Sequence, residues 1–286
     1  MNKVIEIQSK PTIRQAVVSD FEKVYPLLLK MKNSHLCKQD WQRLFQNHWS
    51  EEAFSPGIVL AVGEQIVGYI GTIYSHQKLA GKTRLFCNLS TWIVLHEYRS
   101  YSIMMLFPLL KNKDLILTSF SSNDVTYEIY KKLGFKDGNQ SKRILYRSSF
   151  FQSNDYKIIV DVEEIGRSCN PANKVLFDDH ASFGNAYALV KHKQEECLLM
   201  GGGGDGLFSL YSASDPQFLQ QHLTFFRNQL MSQMRVKRIQ IDEQLLNGTS
   251  LFLSRLVTWG YPYQYRSVAD IEPPSPEYSE VFLLKM

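Results

Sequence analysis

The stretch that decides the fold is Asn123-Asp-Val-Thr-Tyr-Glu-Ile-Tyr130-Lys-Lys-Leu-Gly-Phe135. It predicts a helix from about Asp124 to Leu133 that stops at Gly134, because glycine is common just past the end of a helix. A run of strand-forming residues, Leu115–Ser119, precedes this helix, and a second run, Arg143–Arg147, follows it. The segment therefore predicts a strand, a helix and a closing strand, which is typical of a sheet with a crossover connection.

Upstream of this segment lie three further runs of strand-forming residues. Ile58–Val62 and Ile66–Tyr74 predict a tight hairpin, and Arg84–Leu95 predicts a long third strand. The polar segment His96–Ser102 separates that strand from Ile103–Leu110, an apolar stretch that predicts a buried helix. This order of elements predicts an α/β (α+β) fold in which helices flank a mixed sheet.

The polar segment after the long strand is a candidate anion site. Backbone N–H groups at a turn that leads into a helix carry partial positive charge, and Arg99 adds a full charge beside them. The hydroxyl groups of Ser100 and Ser102 can donate hydrogen bonds to phosphate oxygens. On this segment alone, an anion site and a simple connecting loop are equally good interpretations.

Two motifs occur together in this part of the chain. Asn123 is followed seven residues later by Tyr130 and then by Lys-Lys-Leu-Gly-Phe135, and Val94-Leu-His-Glu-Tyr-Arg99 lies upstream. Both resemble the GNAT superfamily, the Gcn5-related N-acetyltransferases, in which the upstream motif commonly reads Val-x-Pro-Glu-Tyr-Arg. The resemblance covers roughly residues 12–147 and is specific as a combination of motifs.

The resemblance implies acetyl-CoA or another acyl-CoA as co-substrate, with defined roles for residues of this chain. Asn123 is expected to hydrogen-bond the cofactor arm, and Tyr130 to protonate the departing thiolate as a general acid. For Tyr130, a core aromatic with a satisfied hydroxyl group is the alternative interpretation. The backbone that pairs with pantetheine is expected at Trp92, Ile93 and Val94, and the pyrophosphate turn at Arg99, Ser100, Tyr101, Ser102, Ile103 and Met104.

The pyrophosphate turn departs from the family pattern, which is usually Arg-Gly-x-Gly-x-Gly. This chain reads Arg99-Ser-Tyr-Ser-Ile-Met104, so all three glycines are replaced. Glycine permits positive φ and the closest approach of backbone to a ligand, and a methionine side chain does not. A non-catalytic protein that binds a partner or senses acyl-CoA is therefore the alternative to an acyltransferase.

The catalytic base and the acceptor are less defined by the sequence. Asn88 and Ser90, on the long strand, are candidate catalytic residues that could orient the attacking amine or a water molecule. The expected acceptor is an amine or hydroxyl group of a small molecule, a sugar or a peptide. Transfer of a longer acyl chain is a third possibility for the Met- and Phe-containing stretch Ile103–Leu110, which is otherwise core. The oligomeric state is not predicted.

The second half of the chain predicts a further domain. With 286 residues the chain is about twice the commonest domain size, and the polar stretch Gln152–Asp155 suggests a boundary between residues 1–152 and 153–286. Asp215 and Pro216 predict the start of a long helix, since aspartate caps helices and proline fits the first turn. The other expected elements are strands at Lys157–Val162, Ala186–Val190, Glu195–Met200, Leu207–Ser212, Arg238–Ile241 and Val281–Leu284, and a helix near Leu251–Thr258. The order loosely repeats the first half, so a diverged second GNAT-like domain is expected.

Composition and charge exclude several classes of protein. No apolar run approaches the roughly 20 residues of a membrane span, no signal-like segment begins the chain, and a cytoplasmic location without membrane contact is expected. Residues 1–150 carry 20 basic and 12 acidic side chains, a net charge of +8, and residues 151–286 carry 12 and 16, a net charge of −4. A positive first half suits an anionic ligand, although scattered solvated lysines explain it equally well, and no nucleic-acid partner is expected.

No metal site is expected from the sequence. The four cysteines are widely spaced, and Asp178-Asp-His180 is interpreted as a polar loop because no further ligands lie at metal-binding spacing. Gly201-Gly-Gly-Gly-Asp-Gly206 lacks the Lys-Ser/Thr of a phosphate-binding loop and precedes a strand, so it predicts a hairpin turn.

Overall fold

The structure is a computed structural model that describes residues 10–285 except 47, 51, 53, 80, 149, 151, 152 and 259–261. The chain divides into two compact units, Met1–Ser119 with Arg266–Ile271 and Phe120–Tyr265 with Glu272–Met286. Gln152, at the domain boundary expected from the sequence, lies outside the described residues. The domain boundary at 152/153 stays a prediction.

The first unit contains an antiparallel arrangement of strands to which one parallel strand is added. Its elements are β1 (Thr12–Gln15), α1 (Phe21–Leu28), α2 (Lys38–Gln42), β2 (Gly57–Val62), β3 (Gln65–Leu79), β4 (Lys82–Val94), α3 (Phe107–Lys111) and β5 (Ile116–Ser119). Strands β1 to β4 pair antiparallel in sequence order, and β5 pairs parallel to β4. The hairpin and the long third strand expected from the sequence are therefore confirmed.

The second unit begins with α4 and contains a seven-stranded mixed sheet. Its elements are α4 (Asp124–Lys132), β6 (Lys136–Asp137), β7 (Ser141–Leu145), β8 (Tyr156–Ile159), α5 (Val162–Ser168), α6 (Pro171–Ala181), β9 (Ala186–His192), β10 (Glu195–Gly204), β11 (Leu207–Ala213), α7 (Pro216–Gln233), β12 (Arg238–Asp242), α8 (Glu243–Leu246), β13 (Ser254–Thr258), β14 (Gln264–Arg266) and α9 (Glu280–Leu283). The order in its large sheet is β13-β7-β12-β11-β10-β9-β8, with β11 and β12 parallel.

Helices cover both faces of this sheet. Neighbouring residues of a strand point to opposite faces, so one strand contributes to two apolar clusters. On β10, Leu199 packs into the apolar cluster formed with α7, and Leu198 packs into the cluster formed with α5 and α6. Asp215 caps α7 as expected, since its Oδ1 accepts a 2.9 Å hydrogen bond from the N–H group of Phe218. The fold class expected from the sequence, mixed sheets flanked by helices, is confirmed.

The closing strand expected for the first half lies in the large sheet of the second unit. Strand β7 lies between β12 and β13, where Leu145 pairs with both Ile239 and Ser254. The guanidinium group of Arg143 on β7 forms a two-pronged ion pair with Glu243, with 2.5 and 2.8 Å between the paired atoms. Conversely, β14 from the second half pairs antiparallel with β6 from the first half. The two halves have thus exchanged a strand.

Several expectations for the second half are wrong. Residues 254–258 form strand β13 where a helix was expected, and residues 280–283 form helix α9 where a strand was expected. Strand β8 ends at Ile159, and the two helices α5 and α6 that follow it were not anticipated. The glycine-rich stretch is a hairpin as expected, with four glycines in β10 and the turn at Asp205-Gly206.

Candidate functional site

The first feature of interest is the end of β4, which continues past its parallel partner. The register with β5 ends at the pair Asn88–Thr118, whereas β4 extends to Val94. The buried amide group of Asn88 donates to the hydroxyl oxygen of Thr118 at 3.2 Å and to its carbonyl oxygen at 3.4 Å. Asn88 therefore fixes the point where the two strands part. Beyond that point β4 offers backbone groups with which an extended ligand can pair.

A bulge shapes this extension of β4. Gly71 of β3 pairs with Ser90 and Tyr69 pairs with Ile93, so three steps along β4 oppose two along β3. Thr91, inside the bulge, has a φ of +46°, and its hydroxyl group lies 3.3 Å from that of Ser90. A Cβ atom at Gly71 would lie only 2.5 Å from Ser90 Oγ, so the bulge requires glycine there. Bulges bend a strand and redirect its side chains, and they are frequent beside active sites.

The residues after the bulge are half-buried and lead into a turn that differs from the expected one. Trp92, Ile93 and Val94, at the end of β4, are half-buried. Two 3-10 helices, His96–Tyr101 and Ile103–Leu106, follow the strand, and α3 begins only at Phe107. The single buried helix expected over Ile103–Leu110 is therefore wrong in its first half. Consecutive 3-10 turns use i to i−3 hydrogen bonds, which leave fewer N–H groups for a ligand.

The hydrogen bonds of this turn are local. Both the hydroxyl group and the N–H group of Ser102 donate to the carbonyl oxygen of Arg99, at 2.9 and 3.1 Å, and the N–H group of Met105 donates to Ser102. The hydroxyl group of Ser102 is thus engaged within the chain. The side chains of Arg99 and Ser100 are exposed, and Tyr101 is half-buried. Arg99 therefore places a positive charge at the surface of the turn, and Glu97 places a negative one there.

Two apolar side chains of the turn, Ile103 and Met104, are partly exposed. Ile103 is 43% exposed and Met104 is 46% exposed, whereas the neighbouring Met105 is fully buried. Because methionine has a long side chain, Met104 keeps a ligand farther from the backbone than glycine does. Side chains rather than the backbone therefore offer most of the contacts in this turn.

Helix α4 carries the two residues of the downstream motif. Asn123 is its N-cap, and Asn123 Oδ1 accepts a 3.0 Å hydrogen bond from the N–H group of Thr126. Tyr130 is 1% exposed, and its ring stacks on that of Phe135 with 4.6 Å between centroids. Gly134 ends the helix with a φ of +82°, as expected. The roles of Asn123 and Tyr130 toward a cofactor stay predictions.

A cavity of about 330 Å³ lies within the second unit, where β11 and β12 part. Its polar lining includes Lys142, Gln240 and Asp242, and Lys142 pairs directly with Asp242 in the sheet register. Burial raises the pKa of Asp242 and lowers the pKa of Lys142, so both groups are shifted toward their neutral forms. The remaining lining residues are Phe120, Ser121, Asn139, Gln140, Leu210, Tyr211, Tyr263, Pro276 and Val281.

The cavity has the chemistry of a site for a small polar ligand. Asp242 Oδ1 accepts hydrogen bonds from Asn139 at 3.1 Å and from the N–H group of Gln244 at 2.9 Å. Gln240 Oε1 is buried and has no hydrogen-bond partner among the described residues, so it is available to a donor on a ligand. Sequence reasoning missed this site because Lys142 reaches it only through the exchange of strand β7.

The Asp178-Asp-His180 segment does not form a loop. It lies in α6, where Asp178 pairs with Lys174 one turn away and Asp179 accepts a 3.0 Å hydrogen bond from Tyr278. The ring nitrogens of the fully buried His180 lie 2.8 Å from the carbonyl oxygens of Leu176 and Glu277. These side chains thus serve packing within the second unit.

Comparison with known proteins gives matches only at the level of structure. No protein-family model and no curated protein matches the sequence. A conserved protein of unknown function from Enterococcus faecalis, described as a probable N-acyltransferase, matches with a TM-score of 0.63 and 13% identity, over 91% of this chain and 73% of that one. A GCN5-related N-acetyltransferase from Anabaena variabilis matches with a TM-score of 0.62 and 11% identity over the same shares.

A third solved structure matches over almost the whole of both chains. It is a putative acetyltransferase from Pyrococcus horikoshii, with a TM-score of 0.54 and 15% identity, covering 97% of this chain and 96% of that one. Within the described residues, the helices are all too short or too polar to cross a membrane. The likeness to these three solved structures shows that the chain has the fold of the GCN5-related N-acetyltransferase superfamily.

Proposed function

We propose that this chain transfers an acyl group from acyl-CoA, with acetyl-CoA as the first candidate, to an amine or hydroxyl acceptor in the cytoplasm. The single observation that carries the proposal is the end of β4. There a strand leaves its parallel partner at Asn88, bulges at Thr91 and ends beside a turn that carries the exposed Arg99. This is the arrangement that an extended, amide-containing molecule with a phosphate group needs.

The residues of this region fit acyl-CoA in part. The backbone of Trp92, Ile93 and Val94 supplies the strand edge for the amides of the pantetheine arm. The phosphates rely on the side chains of Arg99 and Ser100, because the N–H groups of Ser102 and Met105 are engaged within the turn. A charge-assisted hydrogen bond from arginine is roughly twice as strong as a neutral N–H contact, so Arg99 replaces part of what the missing backbone contacts would supply. Asn123 keeps the role toward the cofactor arm that the resemblance implies.

The proposed reaction is direct transfer without an enzyme-bound acyl group. The neutral amine of the acceptor attacks the thioester carbonyl carbon, the carbon–sulfur bond breaks, and the nitrogen loses its extra proton. Tyr130 gives its phenolic proton to the departing thiolate and regains one from the solvent or the acceptor. Asn88 and Ser90 orient the amine or a water molecule. The acceptor class stays a small molecule, a sugar or a peptide.

The test is an acetyl-CoA consumption assay across a panel of amine acceptors. We expect Tyr130→Phe to lower kcat by about 10²–10⁴-fold with unchanged acetyl-CoA affinity, because only the proton donor is removed. Tyr127→Phe is the matched control, since Tyr127 lies in the same helix and its hydroxyl group donates to Asp137 at 2.8 Å. Equal activity of Tyr130→Phe and the wild type would refute the role of Tyr130.

A second function, binding of acyl-CoA or a partner without catalysis, is favoured by one observation. In the turn after β4, the N–H groups of Ser102 and Met105 donate to carbonyl oxygens of the turn itself, so fewer N–H groups are available to bind a phosphate. Saturable acetyl-CoA binding without turnover of any acceptor would support this function. Turnover that depends on Tyr130 would exclude it.

A further inference from the structure

A row of side chains crosses three strands at one edge of the large sheet. Tyr156 of β8 pairs directly with His192 of β9, and His192 pairs directly with Glu195 of β10. Directly opposed residues in antiparallel strands point to the same face of the sheet. Helix α7 packs on this face and adds His222, whose ring centroid lies 5.0 Å from that of His192.

The potential ligand atoms of His192, Glu195 and His222 converge. One ligand atom from each residue lies within 4.8 Å of the other two, and His222 Nε2 is 3.8 Å from Glu195 Oε2. Atoms bound to one zinc ion at about 2.0–2.2 Å lie at most roughly 4.4 Å apart. Because the Glu195 side chain is 65% exposed, rotation of its carboxylate group is sufficient to close the difference.

The surroundings of the two imidazole rings match those of metal ligands. The hydroxyl group of Tyr156 lies 2.9 Å from His222 Nδ1, which leaves Nε2 of that ring to face Glu195. Histidine ligands commonly use their second ring nitrogen for such an orienting hydrogen bond. His192 Nδ1 is buried and has no hydrogen-bond partner among the described residues.

We propose that His192, His222 and Glu195 bind a transition-metal dication, with Zn²⁺ as the best candidate. Two imidazoles and one carboxylate form a ligand set that zinc accepts, and they leave a position for water. The ion ties the β9–β10 hairpin to α7, so its role is to stabilise the second unit.

The site escaped sequence analysis because its residues have no motif spacing. His192 and Glu195 lie three apart across a hairpin turn, and His222 comes from a helix 27 residues farther along the chain. Only the register of three strands and the face of α7 bring them together. The proposal is independent of acyl transfer, and so is its test.

The test is a calorimetric titration of the metal-free full-length chain with ZnCl₂. We expect one saturable zinc ion per chain, and we expect His192→Ala and His222→Ala each to weaken binding by at least about 100-fold through loss of a ligand. Tyr156→Phe is expected to weaken it by about 10–100-fold, as measured for orienting partners of metal ligands. His76→Ala, which removes an exposed histidine of β3, is the matched control and should bind as the wild type does.

A second measurement separates loss of a ligand from loss of the fold. In a chelator the thermal unfolding midpoints of the wild type and Glu195→Gln should agree, because Glu195 is exposed and its replacement leaves the core intact. Zn²⁺ should then raise the midpoint of the wild type more than that of the variant. Absence of saturable zinc binding by the wild type, or unchanged binding by the His192→Ala/His222→Ala double variant, would overturn the proposal.

Discussion

The turn after β4 and the turn after β11 follow corresponding strands, yet their chemistry is opposite. Each strand is the longer member of a parallel pair and continues beyond the end of its shorter partner, to Val94 in the first unit and to Ala213 in the second. The turn after β4 is made of 3-10 helices and carries Arg99. The turn after β11 leads at once into the 18-residue helix α7 and carries Asp215 as its N-cap.

The difference indicates which unit can receive a phosphate group. A carboxylate at the start of α7 satisfies the helix dipole and repels an anion from the same place. The turn after β4 has no carboxylate at its N-cap, Leu95, and it presents the exposed Arg99 to an anion. Residues 1–150, which contain the first turn, carry a net charge of +8, and residues 151–286, which contain the second turn, carry −4. We therefore expect acyl-CoA at the first turn and a structural role for the second.

The largest expected effect concerns the structural role of α7. Leu223 is fully buried in the cluster between α7 and the sheet, so Leu223→Ala is expected to cost about 2–5 kcal/mol of stability. Urea unfolding measures this loss. Gln221→Ala, on the exposed side of the same helix, is the control and should stay within about 0.5 kcal/mol of the wild type.

Charge reversal in the first turn is expected to have the next largest effect. Arg99→Glu should weaken acetyl-CoA binding by at least about tenfold, or 1.4 kcal/mol, because it replaces an attractive charge beside the phosphates with a repulsive one. Calorimetric titration measures the change, and added salt should reduce it. Arg84→Glu, exposed near the opposite end of β4, should bind as the wild type does. Equal losses in both variants would mean that overall charge, and not this turn, attracts the ligand.

Removal of the helix cap in the second turn should affect stability alone. Asp215→Ala deletes the hydrogen bond to the N–H group of Phe218 and is expected to cost about 1 kcal/mol. The urea midpoint reports the cost, and Asp205→Ala in the nearby hairpin turn serves for comparison. A change in acetyl-CoA affinity on replacing Asp215 would contradict the proposal that the first turn binds acyl-CoA and the second turn has a structural role.

The smallest expected effect comes from restoring a glycine to the first turn. Met104→Gly removes a half-exposed side chain from the place where a phosphate approaches, so we expect acetyl-CoA affinity to rise by less than about tenfold. Phe107→Ala removes a similarly exposed apolar side chain at the start of α3 and should leave affinity unchanged. Weaker binding by Met104→Gly would indicate that the methionine itself contacts the ligand.

Local signals were sufficient for most of the first unit. The hairpin, the long strand β4 and helix α4 follow from periodicity and from glycine at helix ends or turns, and those signals depend on neighbours in the sequence. Asp215 and Pro216 marked the start of α7 for the same reason. The bulge at Thr91 had no local signal, because a non-glycine residue with positive φ is held there by its contacts across the sheet.

Predictions failed where distant strands decide the outcome. Residues 254–258 form a strand because they pair with β7, more than 100 residues earlier in the chain. The helical pattern of that segment was overridden by tertiary pairing. The four-residue helix α9 is a short apolar run of the kind that periodicity alone does not assign. The cavity beside Lys142 and Asp242 was missed because it depends, as β13 does, on the pairing of β7 with strands about 100 residues away in the chain.

The most direct test of acyl-CoA binding at the end of β4 is hydrogen–deuterium exchange with and without saturating acetyl-CoA. We predict slower exchange in residues 89–104, because the ligand pairs with the strand edge and contacts the turn, and unchanged exchange in residues 207–217. Slower exchange confined to residues 207–217, or no change in residues 89–104 at saturation, would contradict the account.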